Sequence, residues 1–295
     1  MAVTDTGRMV PPQRPEIVHA EIAAGDQKLV ETPLGFFERI AASEGLRKLF
    51  IVAMLGLAWE IYGRLLGNDL IFPTLGQTLV AWVDAAVSGT LINRTLTSLR
   101  VLGIAYVIGV VLATGLTIVA VSSRLGTDLL STLTSMFNPL PAIALLPLAL
   151  LWFGIGITSI VFVVIHSVLW AVALNMHTGF LSVAETLRMS GRNVGLKGLP
   201  YVVHILIPAA FPAILAGLKI GWAFAWRTLI AAELVFGVSS RSGGLGWFIF
   251  ENRNQLQTAH VFAGLLTVIL IGLAVESGIF RLIERHTVAR WGMQR

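Results

Sequence analysis

Long apolar runs separated by short polar ones set the pattern of this chain. A bilayer core needs about 20 mostly apolar residues per helix. Runs of that order begin near Leu49 (to Leu66), Leu96 (to Val121), Leu129 (to Gly154), Ile157 (to Phe180), Ile205 (to Phe236) and Ala259 (to Ile279). The third is interrupted by Pro139, Pro141 and Pro147, and the second carries Gly103, Gly109 and Gly115, small residues that let helices approach closely in lipid. A shorter amphipathic stretch between the first two runs, FPTLGQTLVAWVDAAVSGTL, predicts a helix lying outside the bilayer.

Composition strengthens this picture. The 295 residues are 56% hydrophobic and 13% charged, and the mean hydropathy is +0.81. Charge this sparse cannot cover a soluble domain, which typically carries about 25%. The expected fold is an all-α integral membrane protein with about six transmembrane helices. Its organisation is a cytoplasmic tail over 1–48 with an interfacial helix near Leu34–Ile40, a membrane domain over 49–285 and a tail over 286–295.

The charge balance sets the expected orientation. The net charge is +5 and the pI about 10.1, which in a membrane protein needs no nucleic acid to explain it. With six spans and the N-terminus inside, 14 of the 21 Lys and Arg fall in segments on the cytoplasmic side. The outer loops hold only Arg94, Arg241 and Arg253. Cationic loops stay in the cytoplasm and face anionic lipid, so both termini are expected there. The chain has no cysteine, which excludes disulfides and thiolate metal sites. No metal and no cofactor is expected.

The most informative stretch is MSGRNVGLKGLPYVVHILIPAAFP, from Met189 to Pro212. In the loop from Leu181 to His204, Arg188, Arg192 and Lys197 mark the polar, cytoplasmic side, while Val183, Leu187, Val194 and Leu196 suggest an apolar stripe. Gly195 and Gly198 are helix stoppers, and Pro200 suits the first turn of a new helix. The spacing predicts a short helix, a glycine turn and then the fifth span. A short helix with mixed faces can lie in a groove on a partner.

This layout resembles the cytoplasmic EAA loop of bacterial ABC importer permeases, in which EAA is followed after three residues by Gly and, nine residues later, by I-x-L-P. With the glycine on Gly195, Ile205, Leu206, Ile207 and Pro208 fall on I-x-L-P, and Met189, Ser190 and Gly191 on EAA. The acidic residue is lost and the two small ones are roughly kept. Four blocks resemble the nitrate, sulfonate, taurine and bicarbonate branch of the family: SLRVLGIAYVIGVVLATG, NPLPAIALLPLALLWFGIG, ILIPAAFPAILAGLKIGWAFAWRTLIAAELVFG and GGLGWFIFENRNQLQTAHVFAGLL.

The resemblance implies a type I ABC importer permease (MetI-like) fold in a bacterial inner membrane. It also implies a homodimer of permeases, two ATPase subunits that bind the ATP and an external solute-binding protein. Ser190, Gly191, Arg192, Gly195, Ile205 and Pro208 would then lie in the coupling region, with 183–199 as the coupling loop. The chain has no phosphate loop G-x-x-x-x-G-K-[ST], so ATP hydrolysis falls to the separate subunit. The expected cargo is a small anion, a sulfonate such as taurine ahead of nitrate or bicarbonate.

Candidates for the substrate pathway are the polar or backbone-breaking residues at membrane depth: Asn138, Pro141, His166, Trp170, Arg227 and Glu233. Ionisable groups in lipid are costly and mark function or ion pairing. Arg227 and Glu233 are six residues apart, about 240° around a helix, so they do not share a face. The competing reading gives each of these residues an interhelical hydrogen bond or a structural ion pair. The main rival function is a secondary transporter run by an ion gradient. An intramembrane enzyme lacks support, since neither G-x-S-x-G nor H-E-x-x-H occurs. A non-transporting scaffold would fit if no ATPase binds.

Overall fold

The computed structural model describes residues 43–235 and 243–290, and every regular element among them is helical. The interfacial helix expected near 34–40 lies outside the described residues, as do most of the N-terminal tail and residues 291–295. The chain divides into two compact units, Met1–Met54 and Leu55–Arg295. Helix α1 (Glu44–Leu66) runs across the boundary.

Five helices are long and apolar enough to cross a membrane, and a bent pair makes up to six. Four of the five are α1, α3 (Thr90–Ser122), α6 (Ile157–Leu181) and the span Val202–Val235, most of which is α9 (Ile207–Val235). The fifth, Thr258–His286, joins α11 (Thr258–Ala274) to α12 (Arg281–His286) through the π segment Val275–Phe280. The short amphipathic helix is present as α2 (Leu75–Val87), with Thr74 and Gln77 forming a reciprocal capping box.

The third run is broken as its prolines suggested, though only two of them break it. Helix α4 (Arg124–Phe137) stops before Pro139, a 3-10 turn spans Ala142–Leu145, and the two halves meet at 85°. Pro139 and Pro141 have no N–H to continue the ladder. Pro147 instead sits in the first turn of α5 (Leu146–Phe153), where its missing N–H costs nothing. Ser159 then ties α5 to the start of α6 by donating to the carbonyls of Ala149 (3.1 Å) and Gly154 (2.6 Å).

The core is built around α6. Val163, Val164, Val168 and Val172 are fully buried on it. A methyl group on Gly109 of α3 would stand 2.8 Å from the Val168 Cβ, and one on Gly221 of α9 would stand 2.7 Å from the Val172 Cγ2. Glycine at these crossings lets helices pack by close dispersion contact, which drives association in lipid. Gly103 and Gly115 do not share this role, because nothing lies within 4 Å of the space a methyl would fill. Six-residue spacing turns each of them about 240° away from Gly109.

Candidate functional site

The loop after α6 folds as its glycines dictate. Helix α7 (Glu185–Asn193) ends where Gly195 takes a left-handed φ of +83°. The Gly195 N–H donates to the Arg192 carbonyl at 2.9 Å and the Leu196 N–H to the Gly191 carbonyl at 3.1 Å. This pair of bonds is the Schellman closure, and it satisfies carbonyls that a helix end leaves open. Gly198, also left-handed at +58°, opens the one-turn helix α8 (Gly198–Tyr201), which carries Pro200.

A π segment, Val202–Leu206, then leads into α9. Pro208 cannot donate to the ladder, so the register is already interrupted there. The Ile207 N–H reaches back to the Val202 carbonyl in the wider π spacing.

Within the loop, Gly191 is buried against the base of the next span. A methyl at Gly191 would lie 2.8 Å from the Ile205 Cγ1 and 3.0 Å from the Tyr201 ring. Ser190 faces outward and donates to the Thr186 carbonyl at 2.9 Å. Arg192 is exposed, whereas Arg188 turns inward to donate to the carbonyls of Phe180 (2.6 Å) and Val183 (3.2 Å). A cation on the last carbonyls of α6 complements the negative end of that helix. The apolar stripe expected along the loop is divided. Val183 is buried and Leu196 half-buried, while Leu187 and Val194 are exposed, with Met189, beside Arg192 and Lys197.

The second region is a cavity of about 360 Å³ at the break between α4 and α5. Asn138 and Pro141 line it from the break, His166 and Trp170 from the middle of α6, and Arg227 from α9. Five of the six pathway candidates therefore share one cavity. Sequence reasoning missed Phe137, Phe224 and Thr228, which also line it. Phe137 stacks on Trp170 at 5.2 Å and meets His166 edge-on at 6.2 Å. An aromatic residue just before a proline break was the available signal.

The cavity's polar groups carry free bonding capacity. Both ring nitrogens of His166 and the indole N–H of Trp170 are buried with no hydrogen-bond partner among the described residues. Arg227 donates through Nε to the Ala223 carbonyl at 3.0 Å and stands 5.1 Å over the Phe224 ring. No carboxylate pairs with it among the described residues. Lys219, by contrast, has its own acid, Glu276, at 3.3 Å.

Glu233 does not line this cavity. It is buried in the last turn of α9, where its two oxygens accept from the Ser98 hydroxyl at 2.8 Å each. One of them also accepts from the Gly246 N–H at 2.8 Å, and the Leu245 N–H donates to Ser98 Oγ at 2.7 Å. Arg94 holds the Gly243 carbonyl at 2.9 Å and Glu251 at 3.3 Å. A carboxylate thus pins the start of α10 (Leu245–Asn254) to α3 and α9. The Gly-Gly-Leu-Gly run allows this approach, since a methyl on Gly246 would stand 2.6 Å from the Glu233 Cβ.

Comparison with known proteins identifies the family. Residues 101–288 match the family described as binding-protein-dependent transport system inner membrane component. A putative ABC transporter permease of Methanocaldococcus jannaschii is 26% identical over 260 residues, 87% of this chain and 96% of that protein. The putative aliphatic sulfonates transport permease of Escherichia coli is 32% identical over 169 residues, 57% of this chain and 62% of that protein. The taurine transport system permease of Escherichia coli is 27% identical over 242 residues, 80% of this chain and 86% of that protein.

Proposed function

Since this chain belongs to the binding-protein-dependent transport system inner membrane component family, we propose that it forms the translocation pathway of an ATP-driven importer for a small anion of the sulfonate class. In this reading a separate ATPase grips the loop 183–199, and an external binding protein delivers the solute to a pair of permease subunits. Both termini lie in the cytoplasm.

The observation that carries the reading is the seating of α7. A glycine-capped helix with exposed Leu187, Met189, Val194 and Arg192 presents a mixed face to a partner, while Gly191 rests on Ile205 and Tyr201 at the base of α9. A push on α7 is thereby passed to the helix that carries Arg227 into the cavity. The names of the sulfonate and taurine relatives support the cargo class, as does a cavity lined by Arg227 and, among the described residues, by no carboxylate. Taurine and nitrate are the first two solutes to distinguish.

Uptake into proteoliposomes tests this reading against a gradient-driven transporter. Permease, ATPase and loaded binding protein are reconstituted together, with ATP inside and ionophores collapsing all ion gradients. Accumulation of labelled taurine or nitrate that needs ATP and survives the ionophores supports the importer. Uptake that follows the gradient and ignores ATP overturns it.

A further inference from the structure

The cavity at the helix break does more than mark a route. We infer that it is an oxoanion-holding subsite inside the permease subunit itself, in which Trp170, His166 and Arg227 set specificity; the inference rests on the importer reading above. Solute selection would then occur in this chain as well as in the external binding protein.

Three observations converge on it. Trp170 is 8% exposed, and its indole N–H lies buried at the cavity wall with no protein acceptor among the described residues. A buried donor left unmade costs about 1–3 kcal/mol, so a site that keeps one gains by meeting an acceptor. His166, two positions toward the start of α6 from Val168 and one turn before Trp170, presents two further unpartnered nitrogens to the same space. In its neutral form one of them donates.

Arg227 supplies the charge, and its planar fork suits paired oxygens of a sulfonate or nitrate. The volume of about 360 Å³ lies at the small end of ligand sites, which begin at about 300 Å³.

The aromatic wall raises a different ligand. Phe137 and Trp170 stacked at 5.2 Å, with His166 edge-on, resemble the faces that hold a quaternary ammonium. The lining argues against a cation, because Arg227 contributes a positive charge and no Asp or Glu among the described residues lines the cavity to offset it. An oxoanion meets both the cation and the unpartnered N–H groups. A halide meets the charge but offers no pair of oxygens.

The test is equilibrium binding of labelled taurine and labelled nitrate to the assembled permease–ATPase complex in nanodiscs, without binding protein. Expected is saturable binding that excess chloride and choline do not displace. Trp170→Phe keeps the ring stack but removes the N–H, and should weaken binding about ten-fold. Arg227→Gln, on an exposed side chain, should weaken it at least as much, with Arg227→Lys retaining more than Gln.

Displacement by choline, or wild-type affinity in both Trp170→Phe and Arg227→Gln, overturns the subsite. A complex that assembles and hydrolyses ATP but shows no saturable anion binding also overturns it, and leaves the importer reading intact. Failure of the wild-type chain to associate with any ATPase removes the importer reading and the subsite with it.

Discussion

Gly191 in α7 lies directly against Ile205 at the base of the span Val202–Val235, so close that a methyl on the glycine would stand 2.8 Å from the Ile205 Cγ1. The two belong to the separate halves of the loop motif, and packing them together makes the loop and α9 one mechanical piece. Gly191→Ala is expected to impair coupling by wedging the two apart, at a cost of about 1–3 kcal/mol. Ile205→Ala in the same chain removes the obstructing atom and should recover much of the loss. A double-mutant cycle on ATP-driven uptake reads the interaction directly; strictly additive effects would show that this contact transmits nothing.

The glycine turn makes a second prediction. At φ +83° a residue with a Cβ is strained by about 1–2 kcal/mol, and a β-branched one most of all. Asn tolerates this conformation better than other side chains. Uptake should therefore rank Gly195 above Gly195→Asn above Gly195→Val, with membrane insertion equal in all three. Equal uptake by the Asn and Val variants would show that the backbone turn is not what the loop requires.

Glu233 illustrates how far the sequence could be read. A lone acid deep in an apolar run was legible as unusual, but its partners were not, since Ser98 lies 135 residues away and Gly246 sits in another element. Hydrophobic periodicity located the spans, α2 and the broken third run, because each is a local property of the chain. The glycine stop at Gly195 was legible for the same reason, whereas Gly198 opens a helix instead of ending one. The shared cavity of Asn138, Pro141, His166, Trp170 and Arg227 was not derivable from spacing, because it depends on how α6 and α9 meet the break. Pro147 was misread as a breaker because a proline in a helix's first turn looks, in sequence, like one in its middle.

The carboxylate knot predicts a stability effect. Glu233→Gln replaces an acceptor oxygen with an amide N–H that faces other donors, and Ser98→Ala strands the Leu245 N–H. Each is expected to cost about 1–3 kcal/mol. Thermal unfolding of the purified protein should shift down in both variants, while anion discrimination in the complex stays as in the wild type. A change in discrimination with unchanged stability would assign Glu233 to the solute instead.

Membrane orientation can be read without removing any native thiol, because the chain has no cysteine. Arg192→Cys should react with an impermeant maleimide only when the cytoplasmic face is open. Asn254→Cys, at the exposed last residue of α10, should react in intact cells. The reverse pattern would invert the topology and place the α7 loop out of reach of any ATPase.

The most direct test of the whole account is ATP hydrolysis by the reconstituted permease and ATPase, with and without loaded binding protein. The account predicts stimulation by a sulfonate-loaded binding protein in the wild type and its loss in Gly195→Val, although the ATPase is present in both. Hydrolysis indifferent to the loaded binding protein, or stimulation unchanged when the α7 loop is disrupted, would contradict it.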